Sequence, residues 1–327
     1  MTVATTTPTY YSHCIGFFAE TGRGFSNPYD LAPAPDGTLY VINRSNGADA
    51  PLGGMRIAIV KLDSEYLGDW GEYGGAPGQL IWPTAIALDQ QNRLWIVDEH
   101  RHDIQAFDAS GRFLSGIGGL GSGAGKFNRP SGLAIDADGN LVVVDTYNHW
   151  LQKLSPDGRP LAAWGHSGPG TAPGQFDLPW GVAIDRQGRI YVADWRNNRV
   201  QQLAPDGSPL AIFGADGPAE SRLRRPSGVA VDDQGLVYVA DWGNNLVKVY
   251  APNGPLGQMI QGDADLSVWA QEYLAADTAT AAEREQAASL EPEKHFWGPT
   301  GIKLDAAGRL YIVESCRHRV QIYQTLG

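Results

Sequence analysis

Residues 178–195 read Leu-Pro-Trp-Gly-Val-Ala-Ile-Asp-Arg-Gln-Gly-Arg-Ile-Tyr-Val-Ala-Asp-Trp. An apolar run opens at Pro179, a polar turn closes on Gly188, and a second apolar run ends at Asp194. The same sentence returns at 225–242 (RPSGVAVDDQGLVYVADW) and at 129–146 (RPSGLAIDADGNLVVVDT). Looser copies begin at Asn27 (NPYDLAPAPDGTLYVINR), Trp82 (WPTAIALDQQNRLWIVDE) and Gly298 (GPTGIKLDAAGRLYIVES), which makes six. The marker prolines are Pro28, Pro83, Pro130, Pro179, Pro226 and Pro299, and from Pro83 to Pro226 they are spaced by 47, 49 and 47 residues. A fixed period of about 40–50 residues with several short strands per unit predicts a propeller.

The strands of one unit are legible. Gly181–Asp185 is strand a, Arg189–Ala193 strand b, Val200–Leu203 strand c and Pro209–Phe213 strand d. Gln187-Gly188 and Pro205-Asp206-Gly207 supply turn chemistry between them. No unit is long enough to cover both faces of its own sheet, so each must lean on its neighbours. The last unit stops near Leu326, after strand c. Ser12–Phe25 reads like a strand d followed by a crossover, so the N-terminal strand is expected to complete the last blade. The expectation is an all-β, six-bladed propeller forming one domain over residues 1–327.

After strand b the units read Asp145-Thr-Tyr-Asn148-His149-Trp-Leu151, Asp194-Trp-Arg-Asn197-Asn198-Arg-Val200 and Asp241-Trp-Gly-Asn244-Asn245-Leu-Val247. Together with the Pro-x-Gly-[Val/Leu]-Ala-[Val/Ile]-Asp opening, this resembles the NHL repeat, named for Asn-His-Leu. The resemblance covers nearly the whole chain outside one insertion and implies the fold. It does not select a function, because such propellers include sensor domains, RNA- and protein-binding platforms and peptidyl-hydroxyglycine amidating lyases. Those lyases are expected to place zinc-ligating histidines directly after the marker proline in alternate blades. Here that position holds Tyr29, Thr84, Ser131, Trp180, Ser227 and Thr300. A channel zinc needs three or four such ligands, so that metal is not expected; no motif calls for a cofactor, and a channel metal held through backbone carbonyls stays open. The carboxylate and asparagine set of gluconolactonase-type propellers has no clear counterpart.

Composition narrows the partners. A net charge of −11 argues against a nucleic-acid or anionic-membrane surface. No 18-residue apolar run exists to span a membrane, and MTVATTTPTYYSHC lacks the features of a signal peptide. Cys14 and Cys316 fall in the same blade, two strand spacings apart, too far for a disulfide. A cytoplasmic protein is the expectation.

Strand alternation puts the b–c loops and d–a crossovers on one face, the top. The a–b and c–d turns on the bottom are short and uniform. Irregularity on top occurs in two places. The blade 1 b–c loop, Arg44 to Met55, is about ten residues longer than its counterparts. The crossover from blade 5 to blade 6 swells to residues 257–297. There Leu266, Trp269, Tyr273 and Ala276 form one apolar helical stripe. Thr280 to Glu283 reads as a capping box opening a second helix, which Pro292 closes. This insertion is expected either to wall and cover a top-face pocket or to ornament the rim or a dimer contact.

The site candidates are the residues that break the repeat on top. Trp180 holds a channel position otherwise occupied mainly by Ser or Thr, and either plugs the channel or floors a pocket. Trp195 and Trp242 offer stacking area or plain packing. Arg44, Arg101 and Arg196 offer charge pairing, among further top-side arginines at 129, 222, 224 and 225. Tyr29 shares Trp180's slot, and Cys316 shares the variable slot of His100, Tyr147 and Arg196. Glu99-His100-Arg101 places an imidazole between a carboxylate and a guanidinium, so His100, Glu99 and Tyr147 are the acid/base candidates. Against these stand His102, His149 and His318, whose counterparts Asn198 and Asn245 mark a structural hydrogen bond. The strand-b carboxylates likewise read as acceptors for loop N–H groups.

Three functions follow. The leading one is binding of a small organic or peptidic ligand that carries an aromatic and an anionic part. The second is a lyase, hydrolase or cyclase without a histidine-ring metal on the same face. The third is a protein-interaction scaffold, which calls for a broad, uncovered top face. Whether the chain is an enzyme and whether it forms oligomers stay open.

Overall fold

Six four-stranded antiparallel sheets stand around a common axis. The computed structural model describes residues 9–44, 55–165 and 168–325. In blade 4, strand a is Pro179–Ile184, b is Ile190–Asp194, c is Arg199–Leu203 and d is Pro209–Phe213. Strand b is buried along its whole length, while d is largely exposed until Phe213, as an edge strand is. At the a–b turn Gly188 takes φ 76°, while Asp185 Oδ1 accepts the N–H groups of Gln187 and Arg189.

The core is divided among the seams between blades. Each of six buried apolar clusters draws on two neighbouring blades, for example Val142, Val144 and Leu151 with Val182, Ile190 and Val192. Hydroxyls of the post-proline slot tie the inner strands together. Thr84 donates to the Pro130 carbonyl, Ser131 to that of Trp180, and Ser227 to that of Pro299.

The N-terminal strand does close the ring. Thr9–Ile15 is strand d of blade 6 and pairs antiparallel with Arg319–Thr325, from Thr9 opposite Thr325 to Ile15 opposite Val320. The pairing strand starts earlier than Ser12 and ends at Ile15, and the crossover follows it. Cys14 and Cys316 are both free thiols.

The insertion folds into helices α1 (Val268–Ala276), α2 (Thr278–Glu285) and the single turn α3 (Glu291–Lys294). Two boundary expectations need correction. Asp277, not Thr280, caps α2 by accepting the N–H groups of Ala279 and Thr280. Pro292 lies in the first turn of α3 and opens a helix there, since its missing N–H is harmless at that position.

The expected cover over the channel is not where α1 packs. Trp269 is 1% exposed and sits in the seam between blades 6 and 1 with Ile15, Phe25, Val41 and Val60. Its indole N–H donates to the Ser64 carbonyl at 2.7 Å, and Ser64 lies in a bottom-side c–d turn. Ser267 donates to the Gly16 carbonyl, the Cys14 thiol to that of Asp265, and Arg23 pairs with Glu272. Helix α1 thus clamps the outer wall where the ring closes. Further on, Arg317 and Arg319 bond the carbonyls of Pro292 and His295 on the rim of blade 6. Residues 45–54 of the long blade 1 loop lie outside the described residues.

Candidate functional site

The strand-b carboxylates and the histidine slot build the top face. Asp98, Asp145, Asp194, Asp241, Glu314 and, in blade 1, Asn43 are fully buried. Each accepts an N–H from the crossover entering its own blade, as Asp194 does from Asp177 at 2.8 Å and Asp145 from Asn128 at 2.7 Å. The expected backbone donors of the b–c loop occur at Asp98, which also accepts from the His100 and Arg101 N–H groups; Asp145, Asp194 and Asp241 instead accept the side-chain amides of Asn148, Asn197 and Asn244 in that loop. The histidine slot links blades. Nδ1 of His102, His149 and His318 accepts the N–H of Arg129, Leu178 and Asn27, and Asn198 and Asn245 do the same for Arg225 and Gly298. All five acceptors take φ of 53–60°, a left-handed turn that asparagine and histidine tolerate. Burial pushes the three imidazoles down, which keeps Nδ1 an acceptor.

On this frame the singled-out residues fall into two groups. Tyr29 of blade 1 and Trp180 of blade 4 lie opposite one another, and both line a cavity of about 30 Å³ at the upper channel. That leaves room for about two waters. Burial pushes the Tyr29 phenol up, opposed by the Arg44 guanidinium and by hydrogen bonding from Arg44 and Trp180. The Trp180 and Trp195 rings are 6.4 Å apart, and the Arg225 guanidinium stacks 5.0 Å from the Trp195 ring. Arg44 lies 4.1 Å over Tyr29 and 4.9 Å from Trp82. A strip of rings and guanidiniums therefore crosses the face through the channel mouth.

The charges on this strip are unequal. Toward blades 1–3 they are neutralised. Glu99 receives Arg44 at 3.3 Å and Arg129 at 3.2 Å, and Arg129 stacks 5.3 Å from Tyr147. Arg101 is paired with Asp103 and also holds the carbonyls of Gly74 and Ala76, so it pins a crossover. Toward blades 4 and 5 they are not. Arg224 and Arg225 are exposed and make no ion pair among the described residues, and Arg196 reaches Asp177 only at 3.8 Å. Beside them Trp242 is 37% exposed. Cys316 is exposed on blade 6; its Sγ and the Trp242 indole nitrogen both flank Gly298.

The acid/base candidates are not assembled. His100 is exposed, Glu99 is buried between two arginines, and Tyr147 is an exposed ring under Arg129. Among the described residues no three His, Cys, Asp or Glu side chains gather as a metal would require. Sequence reasoning placed Arg225 on top but did not choose it; its partner Trp195 is fixed only by the neighbouring blade. Asp30 and Lys303 were missed altogether, although both depart from the repeat. They form a 3.1 Å ion pair inside the channel.

Four segments, residues 127–154, 176–203, 223–250 and 296–323, match the family model of the NHL repeat. No curated protein sequence matches the chain. Among solved structures it is similar to a streptogramin B lyase, at 11% identity and a TM-score of 0.57, over 97% of this chain and 98% of that one. It is likewise similar to virginiamycin B lyase from Staphylococcus aureus, at 12% identity and a TM-score of 0.57, over 96% and 99%. A protein of unknown function from Bacteroides thetaiotaomicron VPI-5482 gives 18% identity and a TM-score of 0.64, over 98% of this chain and 76% of that one. At these identities the likeness concerns the fold. No helix among the described residues is long and apolar enough to cross a membrane.

Proposed function

We propose, from the premise that this chain belongs to the NHL-repeat six-bladed propellers, that it is a binding protein for a small organic or peptidic anion with a flat apolar part. The observation that carries this reading is the cationic and aromatic patch on top of blades 4 and 5, where Arg224 and Arg225 make no ion pair among the described residues and Arg196 has only a long one to Asp177. Arg225 stacks on Trp195, which neighbours Trp180, and Arg196, Arg224 and Trp242 belong to the same top loops of blades 4 and 5, in a chain of net charge −11. The Arg224 and Arg225 guanidiniums, left without carboxylates among the described residues, favour an incoming anion, and adjacent indoles favour a planar group. The neutralised half of the face, Arg44, Glu99, Arg129 and Arg101, acts as frame. The enzyme reading gains no support from His100, Glu99 and Tyr147, which do not converge.

The test is fluorescence titration with 8-anilinonaphthalene-1-sulfonate, with neutral N-phenyl-1-naphthylamine for comparison. The anion should bind at least tenfold more tightly. Arg225→Ala and Trp195→Ala should each weaken it tenfold or more, while Arg112→Ala, on an exposed bottom turn, leaves it unchanged. Equal binding of the two dyes, or full binding by Arg225→Ala, sinks the assignment.

A further inference from the structure

Two departures from the repeat meet inside the channel. Where blades 3 to 6 have Gly132, Gly181, Gly228 and Gly301 in strand a, and blade 2 has Ala85, blade 1 has Asp30. Two residues further on, five blades have alanine, at 32, 87, 134, 183 and 230, and blade 6 has Lys303. Blades 6 and 1 are neighbours, so Lys303 Nζ comes within 3.1 Å of Asp30 Oδ2. A largely buried ion pair is a poor stabiliser beside the apolar groups it replaces. Five blades close the same wall with alanine, so packing does not account for the lysine.

Its position gives another reason. Lys303 lines both the small upper cavity and a wider funnel below it. The funnel has a volume of about 320 Å³ and is walled by residues such as Pro33, Leu88, Ile135, Ile184 and Leu304. Lys303 is the only charged side chain among its lining residues. The volume lies at the low end of the range for small-molecule sites, about 300–1,000 Å³. The two members of the pair differ in access: the Lys303 side chain is 25% exposed, that of Asp30 only 8%. Asp30 Oδ2 also accepts the Ile86 N–H at 3.1 Å, whereas an ammonium has three donors to share.

We infer that the lower mouth of the channel binds a small apolar monocarboxylate, its tail in the funnel and its carboxylate on Lys303 Nζ. A carboxylate fits better than an amine because the lysine is the accessible member of the pair and the aspartate's oxygen is already engaged. This site lies at the opposite end of the channel from the aromatic patch and does not depend on it.

The test is calorimetric titration of octanoate into the full chain. Saturable one-to-one binding is expected, with octylammonium and 1-octanol at least tenfold weaker. Lys303→Met alone would strand a buried carboxylate, so the informative protein is the double variant Asp30→Asn/Lys303→Met, which keeps volume and removes both charges. It should lose octanoate at least tenfold while its thermal midpoint stays near that of the parent. Binding by the double variant within twofold of the parent, no binding by the parent, or octylammonium binding as tightly as octanoate overturns the proposal. The double variant should keep 8-anilinonaphthalene-1-sulfonate and Arg225→Ala should keep octanoate, so the two sites fail separately.

Discussion

Replacing Trp269 with alanine should cost this propeller a large part of its stability, although the residue belongs to an insertion outside every blade. The indole is 1% exposed, lies 5.7 Å from the Phe25 ring and 6.4 Å from that of Tyr66, and donates to the Ser64 carbonyl at 2.7 Å. Truncating a buried tryptophan typically costs about 3–5 kcal/mol through lost burial and the cavity left behind. The hydrogen bond adds about 1 kcal/mol. The expected loss is therefore about 4–6 kcal/mol, against a total of about 5–15 kcal/mol for a typical domain. Urea unfolding followed by circular dichroism measures it. Trp269→Phe should restore most of the loss and leave about 1–2 kcal/mol for the missing bond and the changed shape. Trp297→Ala, 55% exposed on the rim, should stay within about 0.5 kcal/mol of the parent. Amide exchange should rise first in Thr9–Ile15, because α1 holds that strand against blade 1. A loss below about 1 kcal/mol would show that α1 merely rests on the wall and that the reasoning about the seam is wrong.

The remaining predictions are briefer. Burial pushes the Tyr66 and Tyr191 phenols up to about 12, and those of Tyr11, Tyr238, Tyr250, Tyr311 and Tyr323 also rise. The unfolded chain releases these protons near pH 10, so stability is full below about pH 10 and is lost as pH climbs toward 12; absorbance at 295 nm should change together with circular dichroism, and ionisation near pH 10 in an intact fold would contradict this. Asp194→Ala should cost about 3–5 kcal/mol, because it strands the Arg199 guanidinium, now bonded at 2.7 Å, and the Gln201 amide in a buried site; a chemical-denaturation loss below about 1 kcal/mol would refute that. A thiol reagent should label Cys316 in the native protein and Cys14, 5% exposed, only on unfolding; equal rates would contradict the packing of Thr9–Ile15.

The repeat was legible because its information is local. Pro179, Gly188 and Asp194 state a strand, a turn and a strand end within sixteen residues, and a unit that cannot bury its own faces must stack. The incomplete sixth unit announced the closing strand, and the alternation of His149 with Asn198 and Asn245 announced the hydrogen bond that links blades. The site was legible only as a set of departures from the pattern. Which departures touch is decided by the ring. Tyr29 and Trp180 are 151 residues apart in sequence, and they share a cavity because blades 1 and 4 are opposite. Asp30 and Lys303 pair because closure makes the first and last blades neighbours. Glu99 is an acid/base candidate by sequence and a bridge between two arginines in space. Trp269 lies on an apolar stripe that asks for a surface without saying which, and the outer seam between blades 6 and 1 supplies it. Periodicity thus determined the architecture and the slot each residue occupies, whereas contacts across the channel and across the closing seam depend on the whole ring being shut.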